Sequence, residues 1–350
     1  METVTIGSRR VGTGEPCFII AEAGVNHNGA LALAKQLVDA AVAAGADAVK
    51  FQTFKAERLV TTDAPKAEYQ IRMTGKKESQ FEMLKRLELS DAAHQELFDY
   101  CQQRKILFLS TPFDEESADF LQRLGVAAFK VPSGELTNLL LLAHVARKGR
   151  PLIVSTGMAT FGEVTDAMRT ITGTGNRSVI LLHCVSNYPA DPAEVNLRAI
   201  QTLARAFRVP AGYSDHTMGA DAALAAVALG ACVLEKHLTL DRTLPGPDHQ
   251  ASAQPEEFAA LIRSLRTVER ALGDGRKVPA PSERAVALVA RKSLVAARDI
   301  PGGGVGTEEC VAIKRPGTGL PPSMRGQVIG RHATKPIRAG TVLTKEMFQV

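Results

Sequence analysis

Eight short, almost unbroken apolar runs recur along this 350-residue chain, and each gives way to polar or ionisable residues at its C-terminal end. They span 17–24 (CFIIAEAG), 48–54 (AVKFQTF), 106–112 (ILFLSTP), 128–134 (AFKVPSG), 151–157 (PLIVSTG), 179–185 (VILLHCV), 210–216 (PAGYSDH) and 232–238 (CVLEKHL). Strands buried on both faces read this way, whereas half-exposed strands alternate. Helical patterns rich in Ala and Leu lie between them, such as 30–44, closed by Gly45 as a C-cap. Eight strand–helix units are the count of an α/β fold, the (β/α)8 TIM barrel. Active sites of such barrels sit at the C-terminal strand ends, so the repeated switch to Glu, Lys, Thr, Ser, Asp and His predicts a shared polar pocket there.

The length suits one barrel and one small module: a barrel over 1–280, a linker over 281–290 and a β-rich module over 291–350, where short apolar stretches alternate with Pro-Gly and Gly-Thr turns. No apolar run reaches the roughly 18 residues that would span a bilayer, and the polar start, Met1 to Arg10, lacks a secretory pattern. A soluble, cytoplasmic protein is the expectation. Five scattered cysteines without C-x-x-C spacing argue against a disulfide framework or a cysteine metal site. The net charge of +5 comes from interspersed residues, and with four Tyr and no Trp there is little to stack on bases, which excludes nucleic acid as the expected partner. A pocket lined by Lys and Arg for an anion accounts better for the basic balance.

His216 closes the seventh run and His237 stands near the end of the eighth. Adjacent strands bring such residues to one centre, and two imidazoles with positions left for water or substrate describe an open, catalytic metal site. Lys50 and Lys130 lie on the second and fourth runs, with Thr111, Ser133 and Ser155 at or just beyond strand ends. Buried ammonium groups need partners, either carboxylates such as Glu22 and Glu135 or a bound anion, and the hydroxyls add donors suited to phosphate or carboxylate.

These segments in this order resemble the sialic acid synthases, which condense phosphoenolpyruvate with an acylated mannosamine-type sugar: FIIAEAGVNHNG, KFQTF, STPFD, FKVPSGE, STGM, LLHCVSNYP, GYSDHT, EKH and GPDH, then KRPGTG near the C-terminus. The resemblance covers nearly the whole chain. It implies a TIM barrel followed by an antifreeze-like SAF domain, and a domain-swapped homodimer. It implies that His216 and His237 hold a divalent ion, Mn2+ or Mg2+, that polarises the sugar aldehyde. It assigns Lys50, Thr111, Lys130, Ser133, Ser155 and Ser214 to phosphoenolpyruvate, and Glu22, Gln52, Tyr188 and Asp248 to the sugar. Arg315 would approach the acyl group from the other subunit, and Glu135 would act as acid or base. Where relatives carry asparagine two positions before the tyrosine, this chain has Ser186, with Asn187 next.

Synthases of N-acetylneuraminate often read KHQTH and ERHFTD where this chain has KFQTF and EKHLTL. Phe51, Phe54 and the stretch 54–70 resemble synthases of N,N'-diacetyllegionaminate, whose precursor is a 6-deoxy sugar with two acetamido groups. Trading hydroxyl partners for apolar surface would suit that sugar. Rival readings are N-acetylneuraminate synthesis, a metal-dependent hydrolase, a synthase acting on a phosphorylated sugar, and a non-catalytic carbohydrate- or ice-binding protein. The hydrolase would commonly carry H-x-H on the first strand, where this chain has Ala21-Glu22-Ala23-Gly24.

Overall fold

The computed structural model describes residues 3–75 and 77–349. The chain divides into two compact units, Met1–Gly273 and Asp274–Val350.

In the first unit all eight expected strands form: β3 (Phe18–Gly24), β4 (Ala48–Thr53), β5 (Leu107–Pro112), β6 (Phe129–Val131), β7 (Leu152–Ser155), β8 (Val179–Cys184), β9 (Ala211–Asp215) and β10 (Val233–His237). They make one parallel sheet in the order β5-β4-β3-β10-β9-β8-β7-β6. The first barrel strand pairs with the last, Val233 opposite Phe18 and His237 opposite Glu22. That pairing curls the sheet into a nearly closed barrel, with β5 and β6 adjacent but not joined by a ladder.

Side-chain alternation along each strand divides the core in two. Outward residues such as Ile19, Val49, Phe51, Val154 and Leu234 pack under the helices. Inward residues toward the strand starts, among them Phe18, Ile20, Ala48, Ile153 and Val233, fill the barrel. A hairpin of β1 (Val4–Ile6) and β2 (Arg9–Val11) adds Val4, Ile6 and Val11 to that inner core, which stoppers the end opposite the polar residues.

Between β4 and β5 the chain makes an excursion of three short helices, Ala56–Leu59, Glu68–Thr74 and Gln80–Leu87, before the barrel helix Asp91–Gln103. It carries its own apolar cluster: Met83 and Leu87 pack with Val25 and Phe54, flanked by Leu59, Leu84 and Phe113.

In the second unit β11 (Ser293–Ala296) and β12 (Val311–Lys314) pair antiparallel over a core that includes Leu294, Ile300, Val328, Ile337 and Leu343. The division falls after Gly273, and the stretch 281–290 read from sequence as a linker is largely the helix Glu283–Ala290. Its Glu-Arg-Ala-Val-Ala-Leu-Val-Ala has the helix propensity to fold locally, which the Pro-rich residues just before it masked.

Candidate active site

The C-terminal ends of the barrel strands surround a cavity of about 450 Å³. Thirteen of the residues expected from sequence line it: Glu22, Lys50, Gln52, Thr111, Lys130, Ser133, Ser155, Ser186, Tyr188, Ser214, His216, His237 and Asp248. Strand parity explains the convergence. On β10, Val233, Glu235 and His237 point inward while Leu234 and Lys236 point out, and Lys236 pairs behind the barrel wall with Asp215 at 2.6 Å.

The floor is a buried charge cluster. Lys50 Nζ lies 2.8 Å from Glu22 Oε2 and donates to Thr111 Oγ1 at 3.2 Å. Glu235 Oε1 stands 3.6 Å from Lys50 Nζ, 3.4 Å from Lys130 Nζ, and accepts from Ser214 Oγ at 3.1 Å. The partner for the second lysine is therefore Glu235, which the sequence reading passed over. Parity could have found it, since a residue two before an inward histidine on one strand also points inward. Burial pushes the Glu22 carboxyl up to about 7 against the pull of Lys50. Burial also disfavours the Glu235 anion, but Lys130 and Lys50 outweigh it and hold that carboxyl below its ordinary value. Burial lowers Lys130, whereas Glu22 and Glu235 overcome burial and keep Lys50 raised. Two cations face two carboxylates here, and the Oγ of Ser155 and Oε2 of Glu235 are buried without a hydrogen-bond partner among the described residues.

Beside this floor stand the histidines, ring centroids 5.4 Å apart, with Tyr188 4.2 Å from His216 and 5.4 Å from His237, and with His216 Nε2 3.5 Å from Ser214 Oγ. His216 Nδ1 donates to Val185 O at 2.6 Å, which leaves the lone pair on Nε2. His237 Nδ1 has no hydrogen-bond partner among the described residues and lies 3.9 Å from Asp248 Oδ2. Burial lowers His216 to about 4 and His237 well below its ordinary value, so both imidazoles are neutral at pH 7. Two neutral rings, one with Nδ1 unpartnered among the described residues and the other with Nε2 met only by the Ser214 hydroxyl at 3.5 Å, which donates to Glu235, fit a divalent cation. No group of three or more His, Cys, Asp or Glu that could share an ion occurs among the described residues. An ion held here would have the two histidines and positions left for other ligands.

Glu135 is not brought into this cavity. The strand ends at Val131, a 3-10 turn (Ser133–Glu135) breaks the parity, and the Glu135 carboxylate accepts from Asn138 Nδ2 at 2.9 Å. Arg315 belongs to the second unit, exposed just after β12. Phe51 and Phe54 do not line the cavity either: Phe51 stacks on Phe108 at 5.8 Å in the outer core, and Phe54 meets Phe113 edge-on at 6.0 Å behind the excursion. Cys184 and Tyr69 are lining residues the sequence did not single out. Gly157 is confined at the floor: its N–H donates to Ser133 Oγ at 3.0 Å, and a Cβ there would meet Ser133 Oγ at 2.8 Å, Cys184 Sγ at 2.9 Å and Ser186 Oγ closer still.

Fold and site together define a TIM-barrel protein with a lysine-rich, two-histidine mouth, followed by a small β-rich unit. The NeuB family profile matches residues 37–277, and the SAF domain profile matches 291–349. The chain belongs to the NeuB family. It is 48% identical, over 98% of both chains, to the N,N'-diacetyllegionaminic acid synthase of Legionella pneumophila. It is 38% identical to the human N-acetylneuraminate-9-phosphate synthase over 97% of this chain and 94% of that one. Among solved structures, the N-acetylneuraminic acid synthetase of Leptospira borgpetersenii in complex with citrate superposes with a TM-score of 0.72 at 36% identity, covering 81% of this chain and 95% of that one.

Proposed function

We propose that this chain is an N,N'-diacetyllegionaminate synthase: it condenses phosphoenolpyruvate with 2,4-diacetamido-2,4,6-trideoxymannose, giving a nine-carbon 3-deoxy-2-keto acid and phosphate. One observation carries the reaction type, namely that a single cavity brings two buried lysines and a rank of hydroxyls together with two neutral histidines. The choice of sugar is supported by the 48% identity to the Legionella pneumophila enzyme over 98% of both chains.

In this reading Lys50 and Lys130 neutralise the phosphate and carboxylate of phosphoenolpyruvate, and Thr111, Ser133, Ser155 and Ser214 donate to their oxygens. Gln52, Ser186, Tyr188 and Asp248 hold the sugar. Bound by His216 and His237, a manganese or magnesium ion would supply Lewis-acid polarisation of the aldehyde. The enol carbon C3 bonds to the aldehyde carbon, water adds at C2, and the bond from C2 to the phosphate oxygen breaks. Of the two protons of that water, one ends on the former aldehyde oxygen and one leaves with phosphate. Glu22 and Glu235, beside the lysines, are placed to pass these protons and to stabilise the transient positive charge at C2, the role the resemblance gave to Glu135. A cytoplasmic homodimer with exchanged small domains, Arg315 reaching the acyl group of the sugar in the neighbouring barrel, completes the proposal.

The test is phosphate release with phosphoenolpyruvate and Mn2+, run in parallel with the trideoxy sugar and with N-acetylmannosamine, the products identified by mass. Faster turnover of the trideoxy sugar is expected, and His237→Ala should abolish metal-dependent turnover while circular dichroism stays unchanged. Preference for N-acetylmannosamine, or undiminished metal-dependent activity in His237→Ala, would overturn the corresponding part.

A further inference from the structure

The cavity has two unlike sides. One is the charged floor with the histidines; the other is supplied by the excursion between β4 and β5, where Leu59 and Leu84, both half-buried, line the space. Met83 and Leu87 also line it and are fully buried against Phe54, so this wall is anchored to the barrel. Tyr69, Gln70 and Gln80 also line the cavity from the excursion, with Gln80 Nε2 donating to Gln70 Oε1 at 3.4 Å, but Leu59 and Leu84 carry no hydrogen-bonding side-chain atom. A sugar hydroxyl pressed against them would lose water and gain no partner, whereas a methyl group would gain apolar contact. The aldehyde end of the sugar belongs at the histidines, so the wall meets a more distant carbon. A file of rings leads that way: His216 to Tyr188 at 4.2 Å, then Tyr188 to Tyr69 at 5.0 Å, on the excursion helix Glu68–Thr74.

From this we infer that Leu59 and Leu84 form the subsite for the C6 methyl of the sugar, and that they, not the phenylalanines of KFQTF, select a 6-deoxy sugar over its 6-hydroxy counterpart. Phe54 acts from behind, by holding the wall in place. The inference rests on the proposed condensation and adds the residues that choose among its sugars.

The decisive comparison uses 2-acetamido-2,6-dideoxymannose and N-acetylmannosamine, which differ only in the 6-hydroxyl, with 2,4-diacetamido-2,4,6-trideoxymannose as a third substrate. The wild-type enzyme should favour the 6-deoxy member of the pair by about 10- to 100-fold in kcat/KM. Leu84→Asn and, independently, Leu59→Asn should shrink that ratio to about threefold or less, because the amide can pair with the hydroxyl while the methyl loses its contact. Leu84→Ala, which opens space without adding a polar group, should raise KM for the 6-deoxy sugar and bring no gain for the 6-hydroxy one. A wild-type ratio near one, or active asparagine variants that keep the wild-type ratio, overturns the wall as the selector. No phosphate release from wild type with any of the three sugars overturns the proposed condensation itself, and the wall with it.

Discussion

At the scale of single residues, close packing at the floor matters as much as the chemistry of the side chains. Gly157 leaves room for the hydroxyl of Ser133 to accept from its own N–H. Gly157→Ala would drive Ser133, Cys184 and Ser186 apart where the anion is proposed to sit. Misplacement of that order is expected to lower kcat/KM for phosphoenolpyruvate by about 10- to 100-fold, with the thermal midpoint little changed; steady-state kinetics with phosphoenolpyruvate varied would check it, and wild-type values would refute it. Residue identity made Lys50, Lys130, His216 and His237 legible, because buried ionisable groups at strand ends are rare without a purpose. Glu235 was legible only through parity with His237, and Glu135, on a 3-10 turn past the strand end where parity no longer applies, accepts from Asn138 and does not pair with the lysines.

At the scale of elements, the eight strands could be read because each is a short apolar run of fixed kind. The excursion was not. Its helices are only four to eight residues long, and their apolar faces make sense against Phe54 just before them and against Val25 and Phe113, which come from other parts of the chain. The helix Gln80–Leu87 is held at its start by a reciprocal cap: Ser79 Oγ accepts from the N–H of Glu82 at 3.2 Å, and Glu82 Oε2 accepts from the N–H of Ser79 at 2.8 Å. Ser79→Ala should cost that helix about 1 kcal/mol. Amide hydrogen exchange should then quicken about fivefold within 80–87 and stay unchanged in the barrel strands. Equal acceleration in both would show that the excursion opens only with the whole barrel.

At the scale of the molecule, buried histidines tie stability to pH. Burial lowers His27, His216 and His249 each to about 4, against about 6.5 in an unfolded chain. The unfolded state binds more protons between those values, so their contribution is full above pH 6.5 and is lost as pH falls through 4. Glu22, raised to about 7, and Asp248, raised to about 6, act with the opposite sign, since their contribution is lost as pH rises through those values. The histidines outnumber them, so urea midpoints should fall from pH 6.5 to 4.5. His27→Gln should flatten that fall by up to about 1.4 kcal/mol per pH unit; an unchanged slope would mean His27 is not neutral in the folded state.

The amino-acid sequence by itself determined the barrel, its polar end and most of the polar residues that line the cavity, because short-range patterns of burial and alternation encode them. Tertiary structure alone decided that Glu235 rather than Glu135 joins the lysines. It likewise decided that Phe51 and Phe54 face away from the cavity and that the helices of 56–87 supply its apolar wall. Strand parity hints at Glu235 and at Phe51, but which groups finally meet depends on distant segments coming together once the sheet curls and the excursion packs, and local pattern does not record the excursion's packing.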